Sequence, residues 1–394
     1  MAISVYEIRS GLSQVPREHS TAFLSAVEAA LGDKLEQVSL NAFQIEPFGL
    51  IYVSSGGSEG LFLQQFSSYD NHCFLLTSGD SNSLAASMEI LAYLRQNGRS
   101  GEILHGDVEA IAKRILTLSR AACAKQQLTG LRLGVVGKPS DWLIASDLDR
   151  AACNKKLGVE IVEVPMEALL DAYKTAPAVE NEWTTGLRAL GYDVGEMDKA
   201  LAIYSALKVI VAKYSLGAIT VRCFDLIGTV CTTGCLALAI LNAEGIYAGC
   251  EGDVPSTLSM AILGALSGQP VFMCNPSRID TRAGYMVLAH CTLPVNMTRS
   301  MTLTTHFESG IGVAIAGSIP EGTCTVFKAE ADLSRYFAKA GYIEKNLRET
   351  SLCRTQIQVT LDDMSYFLTD PIQNHHLVCT GDYTDEIKKF FTLI

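Results

Sequence analysis

Five ionisable residues have types and settings suited to shared chemistry: Asp225, Glu251, Asp253, His290 and His306. Asp225 follows an apolar run. Glu251 and Asp253 open a helix in Cys250-Glu251-Gly252-Asp253-Val254-Pro255, and His290 closes Leu288-Ala289-His290-Cys291. His306 lies in Thr304-Thr305-His306-Phe307. Their neighbours are apolar, Gly-rich and Cys-rich, a setting in which ionised carboxylates are costly unless paired, hydrogen-bonded or bound to a metal. Two or three carboxylates with one or two imidazoles make a ligand set for a divalent ion such as Mn²⁺. The separations are long, so only the fold can join 225, 251 and 290. Structural duties compete for most of these residues. Asp253, ahead of Val254-Pro255-Ser256, suits a helix N-cap. Asp225 could accept turn amides, His290 could be a satisfied core histidine, and Cys223, Cys231, Cys235, Cys250 and Cys291 fit packing. Glu251 has no such structural duty.

The elements that must position these residues alternate as in an α/β protein. Residues 3–8 (ISVYEI) read as a strand and 18–31 as an amphipathic helix. Gly49–Val53 is an apolar strand emptying into the Ser/Gly loop 54–60, and Cys73–Thr77 repeats the pattern into 78–83, with a helix from Leu84 to about Gln96. Such strand–loop–helix units place ligands at the carboxyl ends of a parallel sheet. A helix over 108–123 precedes a polar break at 124–130, then a buried strand over 131–136. Strand 159–163 and helix 165–174 continue a second α/β unit. Residues 176–198 read as a linker or lid, with Asp198 capping a helix over 199–214. Beyond 216, a strand over 218–224 ends at Asp225, a helix over 230–243 stops at Gly245, and the helix opened by Asp253 runs to about Ser267. Then come apolar runs at 271–274, 285–289, 312–315 and 323–327, which read as strands of a β-rich part, and a docked final helix over 385–394. The expected domains are 1–127, 128–215 and 216–394.

Bulk properties bound the function. The chain has 394 residues, 48% of them hydrophobic, and a formal net charge of −11. That size exceeds one ordinary core, and the acidity argues against nucleic acid or a membrane as partner. The opening MAISVYEIRSG shows no leader pattern. Twelve cysteines without one suggest reduced thiols in a cytoplasm. Gly137-Lys138-Pro139-Ser140 only superficially resembles a phosphate loop, because Arg132 stands where the first Gly is required and Pro139 where Ser or Thr is required. No nucleophile elbow of a hydrolase is present.

Arg222-Cys223-Phe224-Asp225, Leu236-Ala237-Leu238-Ala239-Ile240-Leu241-Asn242, Cys250-Glu251-Gly252-Asp253-Val254, Leu288-Ala289-His290-Cys291-Thr292 and Thr305-His306-Phe307-Glu308-Ser309-Gly310 together resemble the L-fucose isomerase-like proteins, relatives of the L-fucose and L-arabinose isomerases. Upstream, Gly56-Gly57-Ser58-Glu59, Ser81-Asn82-Ser83-Leu84 and the segment from Gly134 to Trp142 extend the likeness. The resemblance implies two α/β domains, then a β-rich domain with the active site, in a homo-oligomer with sites near subunit contacts. It implies Mn²⁺-dependent aldose–ketose isomerisation through an enediol. By motif position, Asp225 and Glu251 become the acids shared between metal and proton transfer and His290 the imidazole ligand. Asp253, His306, Cys223, Glu59 and Asn82 are secondary or substrate-side candidates, the last two also fitting capping and solvated helix surface. Asp225 departs from the Glu of arabinose isomerases. Two other classes fit the same residues: a sugar- or metal-binding homologue without turnover, and a lyase or epimerase on the same scaffold.

Overall fold

The strands Gly49–Val53 and Cys73–Leu76 are buried on both faces, which is why each reads as an unbroken apolar run rather than an alternating one. Leu50, Tyr52, Phe74 and Leu76 pack on one side of their sheet, and Ile51, Val53, Cys73 and Leu75 on the other. This computed structural model describes residues 2–11, 13 and 16–394. It divides into two compact units, 1–126 with 388–393, and 127–387 with 394. The first unit is a five-stranded parallel sheet in the order Leu35–Gln37, Ile3–Ile8, Gly49–Val53, Cys73–Leu76, Gly101–Leu104. Helices Arg17–Leu31, Ser83–Gln96 and Val108–Leu128 cover it; the last runs through the expected break at 124.

The second unit joins a four-stranded parallel sheet to an antiparallel barrel. The sheet runs Glu160–Val164, Arg132–Val136, Ala218–Val221, Tyr247–Gly249, so its last two strands lie beyond residue 216. The barrel closes through Phe272–Asp280, Tyr285–His290, Thr355–Leu361, Tyr336–Asn346, Gly322–Ala329 and His376–Thr380. Alternate residues, among them Cys274, Leu288, Val326, Ile357 and Val378, fill its interior. The helix Val254–Ser267 is buried almost throughout and ties sheet to barrel, its Ser259 hydroxyl accepting the Ala329 N–H at 3.1 Å.

Three sequence expectations are corrected. The strand expected over 218–224 stops at Val221, and Asp225 sits in the first turn of the short helix Phe224–Val230. Segment 176–198 contains the helix Glu182–Ala189, held by a capping box on Asn181. The following helix begins at Val194, capped by Asp193, whose side chain accepts the Glu196 N–H; Asp198 lies inside it and pairs with Arg188 at 2.8 Å. No helix among the described residues is long and apolar enough to cross a membrane.

The tail segment in the first unit is fixed by charge. Lys389 Nζ donates to Glu102 Oε2 at 2.8 Å, and Arg114 donates to the same carboxylate. Burial would raise Glu102, but the bonds from Arg114 and Lys389 hold it below the usual range. A carboxylate lowered in the folded state adds stability above its unfolded value, and that contribution disappears as pH falls through the folded one. Lys389→Met is expected to cost about 1–3 kcal/mol at neutral pH. The loss, read by urea unfolding, should shrink below pH 4.

Candidate metal centre

Glu251 follows the last strand of the parallel sheet, at the carboxyl end where open α/β sheets carry ligands. It adopts φ +64°, and Gly252 follows at φ +70°. Glycine is required at 252. A Cβ there would lie 2.5 Å from the Lys138 carbonyl oxygen and 2.9 Å from Pro139 Cα. This close approach brings the loop 137–142 over the turn, where the Ser140 N–H donates to the Glu251 carbonyl at 2.9 Å and Trp142 Nε1 donates to Glu251 Oε2 at 2.6 Å. The loop dismissed as a phosphate cradle thus braces a carboxylate.

Two imidazoles face that carboxylate from the barrel. Strand Phe272–Asp280 is flanked by Tyr285–His290 and His376–Thr380, with Asn275 opposite Ala289 and Cys274 opposite His376. His290, one residue past Ala289, and His375, one residue before His376, therefore emerge at the same level on either side of one strand. Their ring centroids are 5.5 Å apart. His375 Nε2 lies 3.5 Å and His290 Nε2 3.9 Å from Glu251 Oε1. Among the described residues, Glu251, His290 and His375 form a buried group whose donor atoms lie within 4.8 Å of one another, a spacing that could hold a metal ion.

The surrounding contacts fit that use. Asp253 Oδ2 accepts from His375 Nδ1 at 2.8 Å, and His290 Nδ1 shares a 2.9 Å hydrogen bond with Thr292 Oγ1. Both rings are oriented through Nδ1, the arrangement that outer contacts give to metal-ligating histidines. His375 Nε2 is buried without a hydrogen-bond partner, 3.5 Å from Glu251 Oε1. The electrostatics also favour positive charge here. Burial would lower His375, but the hydrogen bond to Asp253 and the charges of Asp253 and Glu251 push it up to about 9. Burial and the His375 charge bring His290 down to about 4. Burial would raise Glu251, yet the charge of the neighbouring His375 imidazole and the Trp142 N–H bring it down to about 2.

Asp253 has two jobs. It caps helix Val254–Ser267, accepting the Ser256 N–H at 2.9 Å, and it also bonds the Ser256 hydroxyl at 2.6 Å. Burial opposes its ionisation, but the Lys328 ammonium, His375 and Ser256 hold it well below the carboxylate range. Lys328 is itself fully buried and donates to Ser256 Oγ.

The remaining expected residues lie elsewhere. Asp225 is outside the donor group; its carboxylate pairs with Arg222 Nε at 3.0 Å and is 41% exposed. It follows Phe224, whose ring meets Trp142 on one side and His306 on the other. His306 Nε2 pairs with Glu308 at 2.9 Å, and Nδ1 bonds Ser309. Cys223 is buried with its Sγ 3.0 Å from Cys250 Sγ. Glu59 begins a helix in the first unit, and exposed Asn82 sits at φ +59° ahead of another. Sequence reasoning missed His375. The signal was present: Asn374-His375-His376 ahead of Leu377-Val378-Cys379 mirrors the polar end and apolar run that marked His290.

No protein-family model matches the chain. Two proteins called sulfoquinovose isomerase, from Priestia aryabhattai and from Priestia megaterium (strain ATCC 12872 / QMB1551), are each 23% identical to it over 328 residues, covering 78% of this chain and 73% of the relative. A sulfoquinovose isomerase of Clostridium sp. (strain MSTE9) is 27% identical over 237 residues, 56% of this chain and 52% of the relative. All three names denote sugar isomerases.

Removing Asp253 leaves the buried Lys328 and His375 without their shared counter-charge, so Asp253→Ala should cost about 3–5 kcal/mol in urea unfolding. A loss below 1 kcal/mol would show that the three groups do not interact as a unit.

Proposed function

We propose that this chain is a sugar isomerase interconverting an aldose and its ketose, with a divalent cation held by Glu251, His290 and His375. The observation that carries the reading is that buried donor group, in a chain whose relatives are named sulfoquinovose isomerases. Imidazole and carboxylate donors suit first-row divalent ions, and the resemblance to fucose and arabinose isomerases favours Mn²⁺. When bound, such an ion supplies Lewis acidity to the sugar's O1 and O2.

The chain's own residues supply the rest. Asp253 holds a proton on His375 Nδ1, which leaves Nε2 as the nitrogen that would give up its proton to a cation; Thr292 fixes the His290 ring. Asp225, partly exposed and oriented by Arg222, is the carboxylate we assign to moving the proton between C1 and C2, a task worth about 10²–10⁴ in rate. His306, paired with Glu308, is assigned to a substrate hydroxyl. Half-exposed Trp142, bonded to Glu251, puts apolar surface at the site, which supports a homo-oligomer with sites near subunit contacts. Free cysteines throughout the described chain suit a cytoplasmic setting.

The test is conversion of a panel of aldoses, sulfoquinovose, fucose and arabinose among them, by purified protein with Mn²⁺. At least one aldose should yield its ketose, and chelation or Glu251→Gln should lower the rate roughly 10²-fold or more. Binding without any turnover would instead make the chain a sugar-binding protein.

A further inference from the structure

The two oxygens of Glu251 meet different partners. Oε1 faces the imidazoles, 3.5 Å from His375 Nε2 and 3.9 Å from His290 Nε2, while Oε2 accepts the Trp142 indole N–H at 2.6 Å. An indole N–H can only donate and does not ionise near neutral pH, so it occupies Oε2 whatever the protonation of its surroundings.

Trp142 is itself held from several directions. The Gly137 N–H donates to the Val164 carbonyl at 2.9 Å, and the Leu143 N–H closes a turn onto the Ser140 carbonyl at 2.9 Å. Arg222 donates to the Pro139 carbonyl and, at 2.7 Å, to Asp141. The indole packs edge-on to Phe224 with centroids 4.8 Å apart. It is nevertheless 51% exposed. A half-exposed indole aimed by a pinned loop at a buried carboxylate is placed for that one hydrogen bond.

We propose that Trp142 is a positioning residue of the metal centre: its N–H ties down Oε2 of Glu251, so that the carboxylate offers Oε1 alone to the cation. The assignment rests on the cation reading above. A free carboxylate samples rotations about its last bond, and fixing one oxygen removes that freedom before the ion arrives. Outer contacts of this kind commonly change metal affinity by about 10–100-fold.

Trp142→Phe keeps the ring and deletes the donor. Mn²⁺ affinity is read by EPR titration, beside kcat and KM with the best aldose in excess Mn²⁺. The expected result is Mn²⁺ binding weakened about 10–100-fold, with cooperative unfolding retained and KM unchanged. Fluorescence supplies a metal-free arm. In a Trp183→Phe background Trp142 is the remaining tryptophan of two, and Glu251→Ala should shift its emission. Wild-type Mn²⁺ affinity in Trp142→Phe, or emission insensitive to Glu251→Ala, overturns the assignment of Trp142 alone. If wild-type protein takes up no Mn²⁺, the cation reading fails and the assignment falls with it.

Discussion

Two carboxylates two residues apart, one fully buried and the other 9% exposed, dominate the energetics of the second unit. Each would cost several kcal/mol to desolvate without compensation. Compensation comes from three directions: Lys328 from one barrel strand, His375 at the head of another, and Trp142 from the loop after a sheet strand. The parallel sheet, the barrel and the helix between them therefore converge on Glu251 and Asp253. The left-handed Glu251-Gly252 turn is the geometric condition for this convergence, since only a residue without Cβ lets the 137–142 loop come so close.

The charges around the centre favour a cation. Lys328 balances Asp253, which leaves Glu251 and two imidazoles around one point. His290, driven low by burial, stays neutral, and His375 takes up positive charge because two carboxylates face it. A site that draws a proton onto a buried imidazole is also one that favours a cation, and metal binding there would be expected to displace that proton.

Much of the fold was legible in the sequence for identifiable reasons. Gly49–Val53 and Cys73–Leu76 are central strands with no polar face, so their runs and the Ser/Gly loops after them stand out. Asp253 before Pro255 reads as a cap because both the side-chain acceptor and the missing N–H belong at a helix start. Segments 336–346 and 355–361 went unread because they lack an unbroken apolar run: in Tyr336–Asn346 only Phe337 and Ile343 are buried, and a bulge sets Glu344 and Lys345 side by side. Asp225 was misplaced on a strand end because Cys223 and Phe224 suit either conformation; the sheet partner Val136 ends the ladder earlier. His375 escaped notice because its partner in function, Glu251, lies 124 positions away in the numbering. Two glutamate-facing histidines become neighbours only through barrel pairing on a shared strand, which local spacing does not encode.

The most direct measurement is an EPR titration of Mn²⁺ into chelator-treated wild-type protein and into His375→Ala. Wild type should take up one tight ion per chain, and His375→Ala should lose it while keeping its fold. Equal binding by the two proteins, or no binding by wild type, would contradict the central claim that Glu251, His290 and His375 form a metal centre.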